Sequence, residues 1–259
     1  MAIVLDDVSY SKILKKVNMK IKYGNIISVI GKNGSGKTML LEIIAGKNKK
    51  YDGKINYDNQ LKIAYIEQDL KKTFFCDTLE KEIEYLLEEN NYPHNKIKKR
   101  IEDSIKMIGL PSYFLHRDPL TLSSSELRLA ALARAISLNP DLIVIDEPII
   151  GMSEGEKNNL IQILRKIKRR YNKTIVLTSQ NINFIHKISD YIYVISDGKI
   201  VLEGDKYTVF KEEKILAEND IYVPSIIEFE NYVLNSKKIK LGYRDDINDL
   251  VKDILRNIK

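Results

Sequence analysis

The 259-residue sequence has one cysteine, Cys76, and no tryptophan. A single thiol cannot close an intramolecular disulfide, so a packed core must hold the fold, and a reducing cytosol suits it. Three histidines, His94, His116 and His186, are scattered and make no metal-ligand spacing. No uninterrupted apolar run approaches the ~18 residues of a membrane span. The start, Met1-Ala2-Ile3-Val4-Leu5-Asp6-Asp7, lacks a basic segment and soon turns acidic, so it is not expected to be a signal peptide. Internal repeats and low-complexity linkers are missing too.

What is present is an ordinary globular composition, 44% hydrophobic and 30% charged. The net charge is +6, which suggests either an anionic partner or solvated lysine-rich faces. The runs Lys47-Asn48-Lys49-Lys50, Lys96-Ile97-Lys98-Lys99-Arg100 and Arg165-Lys166-Ile167-Lys168-Arg169-Arg170 read as exposed loops and helix faces. No nucleic-acid module accompanies them, so no nucleic-acid partner is expected.

The most informative stretch is Gly31-Lys32-Asn33-Gly34-Ser35-Gly36-Lys37-Thr38. It fits the phosphate-loop template G-x-x-x-x-G-K-[ST] at every position. The strand-like Ile26-Ile27-Ser28-Val29-Ile30 precedes it, and the helix-forming run from Met39 to Ala45 follows. Glycines let backbone N–H groups close around a phosphate, and the helix N-terminus adds a positive dipole end. Lys37 would reach the β- and γ-phosphates of a nucleotide such as ATP, and Thr38 would hold Mg²⁺.

Further along, Leu142-Ile143-Val144-Ile145-Asp146-Glu147-Pro148 reads as a central parallel strand buried on both faces. Ligands of such sheets bind at the carboxyl ends of the strands. Asp146 there would hold Mg²⁺, and Glu147 could polarise an attacking water. Gln68, at another strand end, could ligate Mg²⁺ and place a water, or be a polar loop residue. Tyr10 could stack on an adenine ring or simply close a strand. Ser123 and Glu126 have capping-box spacing, so Ser123-Ser124-Ser125-Glu126 opens a helix that is either well capped or presented to a phosphate.

Strands are expected at 2–8, 13–22, 53–58, 62–66, 174–178, 191–196 and 199–203, the last two joined at Asp197-Gly198. Helices are expected at 78–87 with Thr78 as N-cap, at 94–108 stopping at Gly109, and at 127–137, 154–171 and 181–188. After about residue 212 the pattern changes to two helices, 224–234 and 246–258.

The phosphate loop, Gln68, Leu122-Ser123-Ser124-Ser125-Glu126 and Asp146-Glu147-Pro148 occur in the order of an ABC transporter ATPase. Leu122-Ser123-Ser124-Ser125-Glu126 sits where that family has its Leu-Ser-Gly-Gly-Gln signature. The resemblance covers residues 1 to about 212. It implies an α/β P-loop NTPase cassette with a RecA-like core and mixed sheet, a β-rich N-terminal part and a helical subdomain at about 75–138. Residues 213–259 would form a small helical C-terminal extension. A narrower resemblance is to the ATPases of energy-coupling factor (ECF) vitamin and metal importers. It rests on Phe74-Phe75-Cys76-Asp77-Thr78-Leu79, Pro119, Val223-Pro224-Ser225 and Gly242-Tyr243-Arg244-Asp245-Asp246-Ile247.

The resemblance implies a head-to-tail dimer of cassettes that closes ATP and Mg²⁺ between one phosphate loop and the facing signature. Ser123, Ser124 and Ser125 would then contact a nucleotide on the partner cassette. The other implied partners are a transmembrane scaffold and a membrane substrate-binding subunit, with this chain peripheral on the cytoplasmic face of the membrane. The sequence departs from the family in four places. Ser124, Ser125 and Glu126 replace Gly-Gly-Gln, and Met152-Ser153 replaces Leu-Asp. Ser179, followed by Gln180, replaces the switch histidine, and Lys12 stands where the adenine-stacking aromatic usually falls. These departures favour a heterodimer in which this half binds ATP firmly and hydrolyses it slowly. A non-ECF ABC transporter and a soluble non-transport ABC protein are the other expectations.

Overall fold

The computed structural model describes residues 2–58, 60–237, 251, 252 and 255. The chain opens with β1 (Ile3–Tyr10) and β2 (Leu14–Ile21), an antiparallel pair. Next come β3 (Ile26–Ile30), α1 (Lys37–Ile44), β4 (Asp52–Tyr57) and β5 (Ile63–Ile66). Three helices follow, α2 (Leu79–Glu89), α3 (His94–Ile108) and α4 (Ser124–Ser137). Strand and helix then alternate through β6 (Leu142–Ile145), α5 (Glu154–Tyr171), β7 (Thr174–Thr178), α6 (Ile182–Ile188) and β8 (Tyr191–Ser196). The hairpin partner β9 (Lys199–Gly204) leads to α7 (Lys206–Lys211), α8 (Glu213–Glu218) and α9 (Ser225–Lys237).

Two sheets result, a three-stranded one in the order β2-β1-β4 and a six-stranded one in the order β5-β6-β7-β3-β8-β9. All neighbours in the larger sheet are parallel except β8 and β9. The exception is a hairpin, and Asp197 and Gly198 make its turn with φ of 45° and 79°. Two positive φ values match the right-handed twist of the strands they join.

The larger sheet is covered on both faces because its central strands β3, β6 and β7 are mostly apolar and buried at every position. Ile26, Ile30, Ile143, Ile145, Ile175 and Leu177 pack on one side into the core shared with α2 to α6. The alternate residues, Ile27, Val29, Leu142, Val144 and Val176, pack on the other side with α1 and the three-stranded sheet. Each such side chain, fully buried, contributes about 1.5–3 kcal/mol. The carboxyl ends of β3, β6 and β7 are thereby held in fixed register.

The helix starts follow local chemistry. Thr78 Oγ1 accepts the Lys81 N–H and caps α2, and Ser123 with Glu126 forms the capping box of α4. A second box, Ser153 with Glu156, opens α5 and has no counterpart among the expectations. Gly109, at φ 83°, ends α3. The short helices α7 and α8 were not expected, and each is six residues long, too brief for a clear periodic signal. The expected helix at 224–234 corresponds to α9. The one at 246–258 and the segment 242–247 lie outside the described residues, apart from Val251, Lys252 and Leu255.

Candidate functional site

β3 delivers the chain to the carboxyl end of the parallel sheet, where the glycine-rich loop turns back into α1. A Cβ at Gly31 would lie 2.2 Å from the Ile195 carbonyl oxygen, and one at Gly36 would lie 2.8 Å from Leu14 Cδ2. Gly34 and Gly36 also hold φ of 78° and 105°, where side chains are strained. The loop is thus pressed between the end of β8 and the turn joining β1 to β2. No side chain caps the start of α1, so its first backbone N–H groups remain available to a ligand. Lys32 pairs across the surface with Asp197 at 3.8 Å.

Lys37 folds back over the loop. Its Nζ donates to the Gly31 carbonyl at 2.8 Å and the Lys32 carbonyl at 3.0 Å. Burial lowers the pKa of this ammonium, and the charges of Glu147 and Asp146 oppose that shift.

The two acids follow β6. Thr178, at the end of β7, ties them together. Its hydroxyl donates to Asp146 Oδ1 at 2.5 Å and accepts the Glu147 N–H at 3.0 Å. Asp146 Oδ2, Glu147 Oε1 and Ser35 Oγ are buried without a hydrogen-bond partner. Glu147 is 6% exposed and has φ 47°, a left-handed backbone that is uncommon outside glycine and collects at functional sites. Burial raises the Glu147 pKa, against hydrogen bonds from Gln180 and the charge of Lys37.

These groups converge on a cleft of about 400 Å³. It brings together Asn33, Gly34, Gly36, Lys37, Thr38, Gln68, Asp146 and Glu147, all singled out by the sequence, and adds Ile13 and Gln180. The orphaned carboxylate oxygens and the glycine-lined cradle suit a phosphorylated ligand with a divalent cation.

The sequence profile of ABC transporters matches residues 14–150, more than half of the chain. The chain belongs to the ABC transporter family. It is 31% identical to the zinc import ATP-binding protein ZnuC of Ehrlichia canis, over 80% of this chain and 84% of that one. It is 29% identical to the energy-coupling factor transporter ATP-binding protein EcfA2 of Clostridium tetani, over 88% and 83%. Among solved structures, cbiO1 of Clostridium perfringens superposes with a TM-score of 0.75 at 21% identity, covering 89% of this chain and 98% of that one. Its description places it in the ABC transporter complex cbiONQ. The ABC transporter cassette MJ0796, whose structure is a dimer, gives 0.70 at 25% identity, covering 79% and 98%.

The protein is therefore an ABC ATPase with the α/β fold of that family. Of the other residues singled out by the sequence, Tyr10 and Ser179 lie outside the lining of this cleft, and Ser123, Ser124 and Ser125 were expected to serve the partner's nucleotide instead. Tyr10 is partly buried at the end of β1 and packs against the core. The turn through Ser11, at φ 47°, instead places the exposed Ile13 beside the loop. Ser179 is fully buried, and its hydroxyl accepts the Asn181 N–H at 3.1 Å. The side chain that reaches Glu147 from the end of β7 is Gln180. Ser179 and Gln180 both lie past the end of β7, in irregular chain with no fixed alternation of side chains.

Ser123, Ser124 and Ser125 sit at the N-terminus of α4, away from the ABC ATPase's own cleft. The Ser123 N–H donates to Glu126 Oε2 at 2.9 Å, and this bonding lowers the Glu126 pKa. Ser125 Oγ donates to Glu156 Oε1 at 2.5 Å, and Glu156 Oε2 accepts the Ser153 N–H at 2.7 Å and hydroxyl at 2.8 Å. Arg128 Nε donates to the Ile150 carbonyl at 3.1 Å. A Cβ at Gly151 would stand 3.3 Å from Ser124 Cβ. The start of α4 and the segment 150–153 are thus bonded side by side.

Proposed function

We propose that this chain is the ATP-binding subunit of an ECF-type membrane importer, a partly degenerate half of a heterodimeric ATPase pair. The observation that carries the nucleotide reading is the single cleft that holds Lys37, Thr38, Asp146 and Glu147 together. Lys37 and the backbone of residues 31–38 hold the phosphates of ATP. No cluster of three or more His, Cys, Asp or Glu forms a metal cage among the described residues. Thr38, Gln68 and Asp146, which line the cleft together, would hold Mg²⁺ with phosphate oxygens completing its shell. When bound, the ion neutralises phosphate charge. Glu147, its pKa raised by burial, accepts the proton of the attacking water.

Two places support the degenerate reading, the start of α4, which would face the partner's nucleotide, and Gln180 in this chain's own cleft. Ser124 and Ser125 put side chains where the family has glycines, and Glu126 and Glu156 bring two carboxylates to the same helix start. Phosphates of a partner cassette would meet crowding and negative charge there. Gln180 has no cationic form to offer a γ-phosphate. The cassette spans residues 1–212, and 213–259 form the C-terminal extension. A relative named for energy coupling and one named for zinc import support an importer of a small molecule such as a vitamin or metal ion. A transmembrane scaffold and a membrane substrate-binding subunit complete it, with this chain peripheral on the cytoplasmic face.

The deciding measurement is steady-state ATP hydrolysis by the purified complex with Glu147→Gln in this chain alone. Most of the activity is expected to remain, and loss of nearly all of it sinks the degenerate site. The zinc-import relative also favours a second reading, an ABC importer of non-ECF type. Pull-down from membranes separates the two. A second, different cassette with two kinds of multi-span partner supports the ECF reading, and a homodimer on one kind of permease supports the other.

A further inference from the structure

The cleft that holds Lys37 and Glu147 carries its charge at one end. Gln68, Asp146, Glu147 and Gln180 follow the carboxyl ends of β5, β6 and β7. Lys37 Nζ is anchored near the two acids, on the Gly31 and Lys32 carbonyls. Glu42, from α1, turns the same way. Burial raises the Tyr65 pKa, and the charges of Asp146 and Glu42 add to that rise, so Glu42 faces β5.

Among the described residues, two apolar side chains line this cleft, Ile13 and Met39. Met39, in the first turn of α1, is half-buried, and its sulfur accepts the Asn48 Nδ2–H at 3.3 Å. Ile13 is 41% exposed. Single exposed apolar residues are ordinary on a protein surface, but this one is firmly seated. Its N–H donates to the Tyr10 carbonyl at 2.9 Å, and the Lys15 N–H donates to the Gly198 carbonyl at 2.8 Å. The Ile13 carbonyl oxygen lies 2.1 Å from where a Cβ on Gly198 would stand and 3.3 Å from one on Gly36. Ile13 Cγ2 is 3.4 Å from that same Gly36 position, so the side chain stands beside the start of α1. Two glycines, at φ of 105° and 79°, leave the room for it. Tyr10 and Lys12, in the same turn, lie outside the lining of the cleft.

A nucleoside triphosphate is polar along its phosphates and sugar and apolar on the faces of its base. Phosphates drawn to Lys37 and the start of α1 leave the nucleoside to run out past Gly36. The apolar surface it meets there is that of Ile13 and Met39, and burying a base face on it is favourable.

Resting on the nucleotide reading of this cleft, we propose that Ile13 and Met39 hold the base by its faces alone, so that the site takes adenine and guanine nucleoside triphosphates alike. Aliphatic side chains have no donor or acceptor to tell the exocyclic amino group of adenine from the exocyclic oxygen of guanine. A site that reads a ligand by hydrogen bonds rejects the wrong one by about 10⁴-fold or more, and apolar contact has no such lever. The charged groups that could read a base edge stand at the phosphate end.

The test titrates the full chain by calorimetry, in the presence of Mg²⁺, with ATP, with GTP and with inorganic tripolyphosphate, which has no base. ATP and GTP are expected to bind within about threefold of each other. Ile13→Ala keeps the backbone seat and is expected to weaken both by about fivefold, with tripolyphosphate binding as before. If Ile13→Ala unfolds the chain, Ile13→Val is expected to weaken both nucleotides by about twofold. Lys37→Ala tests the cleft itself and is expected to weaken all three probes. Probes that fail to bind, or that bind equally well after Lys37→Ala, overturn the nucleotide reading and the base contact with it. Binding that depends on Lys37 but favours ATP over GTP by about tenfold or more overturns the base contact alone. So does binding in which the Ile13 substitutions leave the nucleotides unchanged or weaken tripolyphosphate equally.

Discussion

Replacing Glu147 by glutamine should make this protein more stable. Glu147 is 6% exposed, its Oε1 has no partner and its φ is 47°. Burial lifts its pKa above the ordinary value of 4.5 despite Lys37 and Gln180. The folded state therefore binds a proton more tightly than the unfolded state. Between 4.5 and the raised folded value, stability falls as pH rises, and above that window the whole cost of the buried charge is present. A buried unsatisfied polar atom costs about 1–3 kcal/mol, and the neutral amide keeps part of that cost. The gain from Glu147→Gln is about 1 kcal/mol near neutral pH, a rise of about 2–4 °C in Tm for a chain of this size. At pH 4 both states hold the proton, and the variant should melt with the parent. Thermal unfolding followed by circular dichroism at pH 7.5 and pH 4 measures both. A Tm at pH 7.5 that is unchanged or lower, or an equal gain at both pH values, refutes the reasoning.

Four further substitutions follow from the geometry. Gln180→Ala should cut the hydrolytic rate of this site by about tenfold or more, with nucleotide affinity kept. Ser179→Ala, which removes only the Asn181 N–H acceptor, should cost about 1 kcal/mol of stability and leave the rate alone, so single-turnover hydrolysis of the two variants tells them apart. Glu82→Ala should cost about 3–5 kcal/mol in denaturant unfolding. Its carboxylate is fully buried, accepts the backbone N–H groups of Phe75 and Cys76, and lies 3.4 Å from Arg134 Nε. Gly198→Ala should cost about 2–4 kcal/mol, because its Cβ would lie 2.1 Å from the Ile13 carbonyl oxygen at φ +79°. Proteolysis of the loop 31–38 should speed up with it.

The parts of this molecule that were legible in sequence are those whose chemistry tolerates little else. The glycine spacing of 31–38, the apolar run ending at Asp146-Glu147, the Thr78 cap and the Ser123–Glu126 box each name a local geometry, and each occupies it in the fold. What stayed illegible depends on which way a neighbour turns. Ser179 and Gln180 follow Thr178, the last residue of β7 and bonded to Asp146, in irregular chain whose side-chain directions no periodicity fixes. Tyr10 and Ile13 are sorted by a turn whose left-handed Ser11 no residue type announces. Assignment of β1, β2 and β4 to a sheet of their own was equally unreadable, since edge and centre strands alternate alike.

The bonds that Ser125 and Ser153 donate to Glu156 join the starts of α4 and α5 through a single carboxylate. Replacing Ser125 by glycine alone leaves one Glu156 oxygen without its donor, and replacing Ser153 by aspartate alone sets two carboxylates against each other. The two positions are therefore coupled through one carboxylate: neither can change in that way without stranding or repelling Glu156, so a change at one is tolerated best together with a change at the other.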